Sequence, residues 1–355
     1  MGYLKNVAIV GATGTIGTHI VAALLATNKH AITALTRHAS PSSSRLPAGV
    51  RAAPVDYSSR ASLASALRGQ DVLIIALAPS VPIATHIALV EAAAAAAAAG
   101  GVRYVVPNGW GYDPASRPFA DEAFLGPAQR EVQGYVEEVS SRGNEGGGGK
   151  GLLWWISFVS GAWYEFSLGG SGDRFRFDFE RREVVFFDEG TARVDVSTWE
   201  QTGRAVAALL SLPEDDDDED SSSKGDSKEK RDGKTVASFR NKCVYFSSFT
   251  VSQRDMFESV LRVTGTSESD WKIRYEDSAA RYRDGLERLK AGDRTGFTRA
   301  LYARSFYPEG EGLGSGAFGP VRGLQNEVLG LPQEDLDERT RVAIEMSKIS
   351  IGGYS

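Results

Sequence analysis

The most constraining feature of this chain is a glycine-rich turn close to its start, with the sequence NVAIVGATGTIG at residues 6–17. An apolar strand precedes the turn and an amphipathic helix at 18–27 follows it. Gly11 permits a sharp strand-to-helix turn, Gly14 leaves room for a phosphate beside the backbone, and Gly17 lets helix and strand pack closely. Because the N–H groups at a helix start attract anions, the pattern predicts a bound dinucleotide, although its G-x-x-G-x-x-G spacing is not the commonest one.

The end of the second strand indicates which nicotinamide cofactor is bound. That strand, at 31–36, runs into Arg37, where an NAD enzyme usually places Asp or Glu to bond the ribose 2′-hydroxyl. A planar guanidinium suits a 2′-phosphate instead, and Arg45 follows after a serine-rich loop. We therefore expect NADP(H). The alternative is that Arg37 is simply a surface residue at a strand end.

Strand and helix signals alternate through the first 160 residues. Strands are expected at 6–10, 31–36, 50–55, 71–77, 102–106 and 152–159. This alternation predicts an α/β Rossmann fold with a doubly wound parallel sheet. We expect residues 1–160 to form the NADP-binding domain, with the sheet completed by segments within 184–249. Residues 161–355 are then expected to form mainly a smaller, mixed C-terminal substrate lobe.

Composition narrows the class of protein. The acidic run at 214–220 carries seven negative charges, so a chain of net charge −6 is otherwise near neutral, and 213–234 is predicted to be a disordered insertion. That run lacks the ligand spacing of a calcium loop, and no metal site is expected. No basic cluster with interleaved aromatics suggests a nucleic-acid surface. The single cysteine, Cys243, the lack of a signal peptide and the lack of a long apolar run favour a cytoplasmic enzyme without a membrane segment.

The candidate cofactor contacts follow from the carboxyl ends of the expected strands, where open parallel sheets bind their ligands. We expect the adenosine on the side of Asp56 and the nicotinamide close to Asn108 and Gly161. The full set of expected contacts is Gly11, Thr13, Gly14, Thr15, Ile16, Gly17, Arg37, Asp56, Ala78, Pro79, Asn108 and Gly161.

Several of these segments resemble the NmrA-like and isoflavone-reductase-like family of atypical short-chain dehydrogenases. The resemblance lies in GATGTIG at 11–17, in Thr36-Arg37 and in PNGWG at 107–111, while SGAWYE at 160–165 and 249–256 resemble fungal members in particular. It implies a Rossmann domain with a small C-terminal lobe and NADP(H) at the glycine turn. For many members it also implies reduction of small aromatic or secondary metabolites.

One departure from the family concerns the proton donor. Reductases of this family carry a lysine in the helix after the fifth strand, and the corresponding position here is at or beside Gln129. No lysine lies between Lys29 and Lys150, and no Tyr-x-x-x-Lys pair occurs. Tyr164 is a candidate general acid if it faces the nicotinamide, and its alternative role is an aromatic wall of the pocket.

Three functions stay open at this point. The first is an NADP(H)-dependent oxidoreductase acting on a small, aromatic or secondary metabolite. The second is a non-catalytic, NADP(H)-sensing regulator that acts through a protein partner, which the missing lysine favours. The third is a redox-neutral isomerase or lyase on the same fold, since function resides in the site and not in the fold.

Overall fold

The computed structural model describes residues 2–37, 45–144, 153–170, 172–214, 235–307 and 316–349. The strands within these ranges are β1 (Asn6–Val10), β2 (Ala31–Arg37), β3 (Val50–Val55), β4 (Val72–Ile75), β5 (Tyr104–Val106), β6 (Trp154–Val159), β7 (Ala162–Trp163), β8 (Phe177–Asp178), β9 (Glu183–Phe187), β10 (Arg193–Ser197), β11 (Lys242–Tyr245), β12 (Phe249–Ser252) and β13 (Lys272–Glu276).

The helices alternate with the strands in the first half of the chain and predominate toward its end. They are α1 (Thr15–Ala26), α2 (Arg60–Ala66), α3 (Ile83–Ala98), α4 (Arg117–Glu122), α5 (Gly126–Asn144), α6 (Tyr164–Leu168), α7 (Trp199–Leu210), α8 (Gln253–Thr264), α9 (Ser278–Lys290), α10 (Thr295–Ser305), α11 (Gly319–Arg322) and α12 (Leu336–Lys348). None of these described helices is both long and apolar enough to cross a membrane.

Seven parallel strands form the main sheet, in the order β11-β6-β5-β4-β1-β2-β3. Two three-stranded sheets, β12-β10-β7 and β13-β9-β8, belong to the second lobe and contain both parallel and antiparallel pairs. The predicted Rossmann sheet with a smaller mixed lobe is confirmed. Among the described residues of 184–249, only β11 joins the main sheet, while β9 and β10 pair within the smaller sheets.

Helices cover both faces of the main sheet, which explains why its strands read as continuous apolar runs. Alternate residues of β1 point to opposite faces, so that Val7 and Ile9 pack with α1 and α7 while Ala8 and Val10 pack with α2, α3 and α5. A second core, rich in aromatic residues, fills the C-terminal lobe. The candidate site residues lie at the carboxyl edge of the main sheet.

Two local expectations differ from the structure. The apolar run at 242–249 predicts a single strand, but β11 ends at Tyr245 and the chain enters a different sheet at Phe249. The sequence TWEQ at 198–201 predicts a capping box, and the Thr198 side chain does accept from the Gln201 N–H (2.9 Å), but the Gln201 amide donates to Pro332 O instead of completing the box. A complete box occurs at Ser252, at the start of α8.

The expected disordered insertion, 213–234, lies outside the described residues from 215 onward. Its first two residues belong to the folded chain, since Pro213 O accepts from the Val236 N–H (2.8 Å) and Glu214 O accepts from the Ala237 N–H (2.9 Å). Glu214 also pairs with Arg103 beside β5.

Candidate cofactor site

The glycine turn is shaped by two close backbone approaches. Gly11 has a φ of +83°, and a Cβ at this residue would lie 2.0 Å from the carbonyl oxygen of Ala76, just beyond β4. A Cβ at Gly17 would lie 2.0 Å from the Gly11 carbonyl oxygen. No side chain fits at either residue, so the turn is held tightly between β1, β4 and α1.

The start of α1 is suited to an anion. Its N-cap residue, Gly14, is exposed and has no side chain to cap the first N–H groups, and no acidic residue lies in the first turn. The Ile16 side chain is buried in the main core, so its backbone N–H is the part of this residue that can face a ligand. Thr13 and Thr15 are half-buried on the turn. The uncapped helix start therefore fits a pyrophosphate.

The carboxyl ends of β2 and β3 lie side by side, with Arg37 paired in register with Val55. The Arg37 side chain is exposed. Beside it, the buried Thr36 hydroxyl has no hydrogen-bond partner, and burial raises the pKa of Tyr57 to about 12 against the opposing effect of the Arg37 charge. The Asp56 carboxylate accepts from the Ser58 N–H (2.9 Å), so it stabilises the turn after β3 and remains at the crevice edge.

The loops after β4 and β5 are joined by side-chain hydrogen bonds. Asn108 Nδ2 donates to Leu77 O (3.0 Å), and Trp110 Nε1 donates to Ile75 O (2.9 Å). Ala78 and Pro79 follow directly and are exposed. Asn108 therefore holds the loop that leads to both residues.

The loop after β6 joins the same group. The N–H groups of Ser160 and Gly161 both donate to the Gly111 carbonyl oxygen at 3.0 Å. The glycine turn, the 77–79 loop, the 108–111 loop and Gly161 thus form a continuous series along the carboxyl edge of the sheet.

Gln129 lies at the start of α5, pointing toward this series. It is 8% exposed, its Nε2 donates to the Ser157 hydroxyl of β6 (2.8 Å), and a Cβ at Gly109 would lie 2.1 Å from that same Nε2. A neutral amide engaged in this way supplies no proton.

Tyr164 does not have the position expected of a general acid. Its side chain is fully buried in the core of the second lobe, and its hydroxyl bonds the Thr340 hydroxyl of α12 at 2.7 Å. Burial raises the pKa of this phenol far above its ordinary value. The physical reason is that α6 begins here and turns the ring inward against Phe249, so Tyr164 is neither a candidate proton donor nor an exposed wall.

Sequence reasoning missed a group of residues that meet at the beginning of α6. Glu165, Trp199 and Arg339 come from three different elements, and they lie close together only because the second lobe folds against α7. The one local signal was the N-cap of α7 at Thr198, which fixes where Trp199 and Glu200 lie.

Comparison with known proteins agrees with this geometry. Residues 11–143 match a family model described as NAD(P)H-binding. Over nearly its whole length the chain is similar to oxidoreductase aprR of Aspergillus flavus, with 26% identity over 334 residues, 94% of this chain and 96% of that protein.

Two solved structures share the fold. AtPrR2 with NADP+ and (+)pinoresinol superposes with a TM-score of 0.68 at 17% identity, covering 97% of this chain and 100% of that one. Isoflavone reductase superposes with a TM-score of 0.66 at 16% identity, covering 95% and 98%. Residues 11–143 thus match an NAD(P)H-binding model, and the chain shares its fold with AtPrR2 and isoflavone reductase and is similar to a fungal oxidoreductase.

Proposed function

We propose that this protein is an NADP(H)-dependent oxidoreductase that acts on a small, aromatic or secondary metabolite. The observation that carries the proposal is the uncapped start of α1 behind a turn that excludes side chains, with Arg37 at the end of the next strand. These groups match a pyrophosphate and a 2′-phosphate in chemistry and in order along the sheet edge.

The preference for NADP(H) over NAD(H) rests on Arg37. A carboxylate at this place would accept a bond from a ribose 2′-hydroxyl and would repel a phosphate. The exposed guanidinium can bond a phosphate without a rearrangement of the core. AtPrR2, whose structure contains NADP+, shares the fold and is consistent with this preference.

Different residues along the carboxyl edge of the sheet would contact different parts of the cofactor. The glycine turn, Thr13 and Thr15 would hold the pyrophosphate, and Asn108 and Gly161 would lie beside the nicotinamide. When bound, the reduced nicotinamide supplies a hydride. The loops that Asn108 and Gly111 join would keep the floor of the nicotinamide site fixed, because both connect the ends of neighbouring strands.

The test of catalysis is NADPH oxidation, followed at 340 nm, with a panel of quinones, aromatic ketones and aromatic ethers. We expect turnover of at least one class, abolished by Gly11→Ala. A protein that binds NADPH tightly but turns over no member of the panel would contradict the proposal.

Tight NADPH binding without turnover is the result that the alternative function predicts, which is a non-catalytic NADP(H) sensor acting through a protein partner. The observation that favours it is Gln129, which lies at the place of the family lysine and whose amide is engaged with Ser157. The variant Gln129→Lys distinguishes the sensor from the enzyme. A sensor should show no turnover with the lysine, whereas an enzyme whose proton donor is altered should change the pH dependence of its turnover.

A further inference from the structure

Unpartnered buried polar atoms gather at one place in the described part of the chain. Of the eleven buried side-chain nitrogen and oxygen atoms that have no hydrogen-bond partner there, five belong to four neighbouring residues. They are Nε1 of Trp163, both carboxyl oxygens of Glu165, Nε1 of Trp199 and Nε of Arg339. Because buried polar groups are nearly always hydrogen-bonded, such a concentration points to a missing polar partner.

Glu165 is the centre of this group. The residue is 2% exposed, and neither carboxyl oxygen bonds another residue. Arg339 NH1 approaches Glu165 Oε1 to 3.7 Å, too far for a hydrogen bond, and is also shared with Glu200 (3.6 Å). Glu334 takes the other side of the same guanidinium (3.3 Å). Glu334 also pairs with Arg204 (2.6 Å), so Arg339 is divided among three carboxyl groups and makes its longest contact to Glu165.

Aromatic side chains that neighbour Glu165 along the chain link its segment to α1. The ring centroid of Trp163 lies 5.9 Å from those of Trp199 and of Phe166, both edge-on. The Trp199 ring lies 5.5 Å from the ring of His19, about one turn beyond the start of α1. Trp163 is two residues past Gly161. The group therefore lies between α1 and the second lobe, at the carboxyl edge of the sheet.

We propose that Trp163, Glu165, Trp199 and Arg339 form a polar subsite that binds a carbonyl or hydroxyl oxygen of an aromatic substrate. The inference rests on the proposed function, whose substrate class it narrows. The indole N–H groups donate to the ligand oxygen, and the aromatic rings provide apolar contact for the ring that carries it.

The carboxyl group of Glu165 also donates to the ligand oxygen, because it stays protonated and neutral. Burial raises its pKa to about 8 against the lowering effect of its own backbone N–H group, while the charges of Glu200 and Glu334 raise the pKa further and that of Arg339 lowers it. Below this pH the protonated carboxyl offers an O–H to a carbonyl oxygen. Above it the carboxylate offers only acceptors and repels that oxygen.

The experiment uses 1-tetralone as the probe, an aromatic ketone that carries no ionisable group. Its binding to the full chain in the presence of saturating NADP+ is measured by equilibrium dialysis at pH 6.5 and pH 9.5. Since about 3% of a group with a pKa of about 8 is protonated at pH 9.5, we expect binding about 30-fold weaker there.

Two substitutions make the test specific. Glu165→Gln keeps a donor of the same shape at every pH, so its affinity should be the same at pH 6.5 and 9.5 and close to that of the unmodified chain at 6.5. Glu165→Leu removes the donor and should bind weakly at both. Glu258→Gln, an exposed change on α8, is the matched control and should reproduce the unmodified pH dependence.

Three results would overturn the subsite: no saturable binding at pH 6.5, the same pH dependence in Glu165→Gln, or undiminished affinity in Glu165→Leu. NADPH affinity measured on the same samples tests the proposed function separately. Failure to bind NADPH counts against the cofactor site, whereas tight NADPH binding without pH-dependent ketone binding counts against the subsite alone.

Discussion

The guanidinium of Arg37 is exposed at the end of β2, and within the described chain it forms no ion pair that would hold it to the protein. Its expected partner is therefore the ligand. Gly11 matters for a different reason, because the Ala76 carbonyl oxygen lies so close to it that no side chain fits. Arg37 would thus contribute charge to the cofactor site, whereas Gly11 contributes the tight backbone turn.

Replacing Arg37 by Ala should weaken NADPH binding selectively. A lost charge-assisted bond is worth about 1.5–3 kcal/mol, so we expect about 10- to 150-fold weaker binding of NADPH and little change for NADH, measured by calorimetric titration. Arg51→Ala is the control, because Arg51 is exposed at the other end of neighbouring β3. An equal loss for both cofactors would contradict contact with a 2′-phosphate.

Replacing Gly11 by Ala should destabilise the fold as well as the cofactor site. The new Cβ would meet the Ala76 carbonyl oxygen at a positive φ, and we expect a loss of about 2–4 kcal/mol in the free energy of unfolding. Gly69→Ala is matched, since Gly69 has a φ of +73° and no atom within 4 Å of an added Cβ. Its cost should be about 1 kcal/mol. Similar urea midpoints for both variants would contradict a destabilising contact between the new Cβ at residue 11 and the Ala76 carbonyl oxygen.

At the scale of elements, a buried carboxylate connects the segment after α10 to the second lobe. Asp195 of β10 is fully buried, and its Oδ2 accepts from the N–H groups of Phe318 and Gly319, each at 2.7 Å. Its Oδ1 accepts from the Thr250 hydroxyl at 2.6 Å. The start of α11 is thereby held next to Gly161, whose Cβ position lies against the Asp195 carbonyl.

Asp195→Asn should loosen α11. One oxygen becomes an amide donor that faces N–H or O–H donors, which costs about 1–3 kcal/mol of unfolding free energy. Thr250→Val removes only one of the three bonds and should cost about 1 kcal/mol. Hydrogen exchange at Phe318 and Gly319 should accelerate in Asp195→Asn and not in Thr250→Val. Unchanged exchange in both would refute the anchoring role.

Local patterns were enough to predict most elements of the main domain. The alternation of apolar runs with helical segments predicts β1 to β6, because these strands are buried on both faces except for β3 at the sheet edge. The break between Tyr245 and Phe249 was missed because an apolar strand does not reveal which sheet it joins. The inward turn of Tyr164 was missed for a similar reason, since it depends on packing against Thr340, 176 residues away.

At the scale of the whole molecule, the expected cofactor contacts follow from local sequence patterns, whereas the proposed substrate subsite does not. Contacts at the glycine turn are local, whereas Glu165, Trp199 and Arg339 meet only through the docking of the second lobe. Burying Glu165 in this way has a consequence for stability. Its carboxyl group ionises at about pH 8 in the native protein and near 4.5 when unfolded.

The stability of the protein should therefore fall as pH rises between about 4.5 and 8. In this window the native state retains a proton that the unfolded chain has lost, which costs up to about 1.4 kcal/mol per pH unit. Glu165→Gln removes this dependence, so the variant should gain stability relative to the unmodified chain from pH 5 to pH 8. Urea unfolding at pH 5, 6.5 and 8 measures the difference, and parallel curves would contradict a buried, protonated Glu165.

The central claim is that the glycine turn and Arg37 together bind NADP(H). Its most direct test is calorimetric titration of the unmodified protein with NADPH and with NADH at the same pH and ionic strength. We predict saturable binding of NADPH at one site per chain, at least tenfold tighter than that of NADH. Equal affinities, or tighter binding of NADH, would contradict the claim.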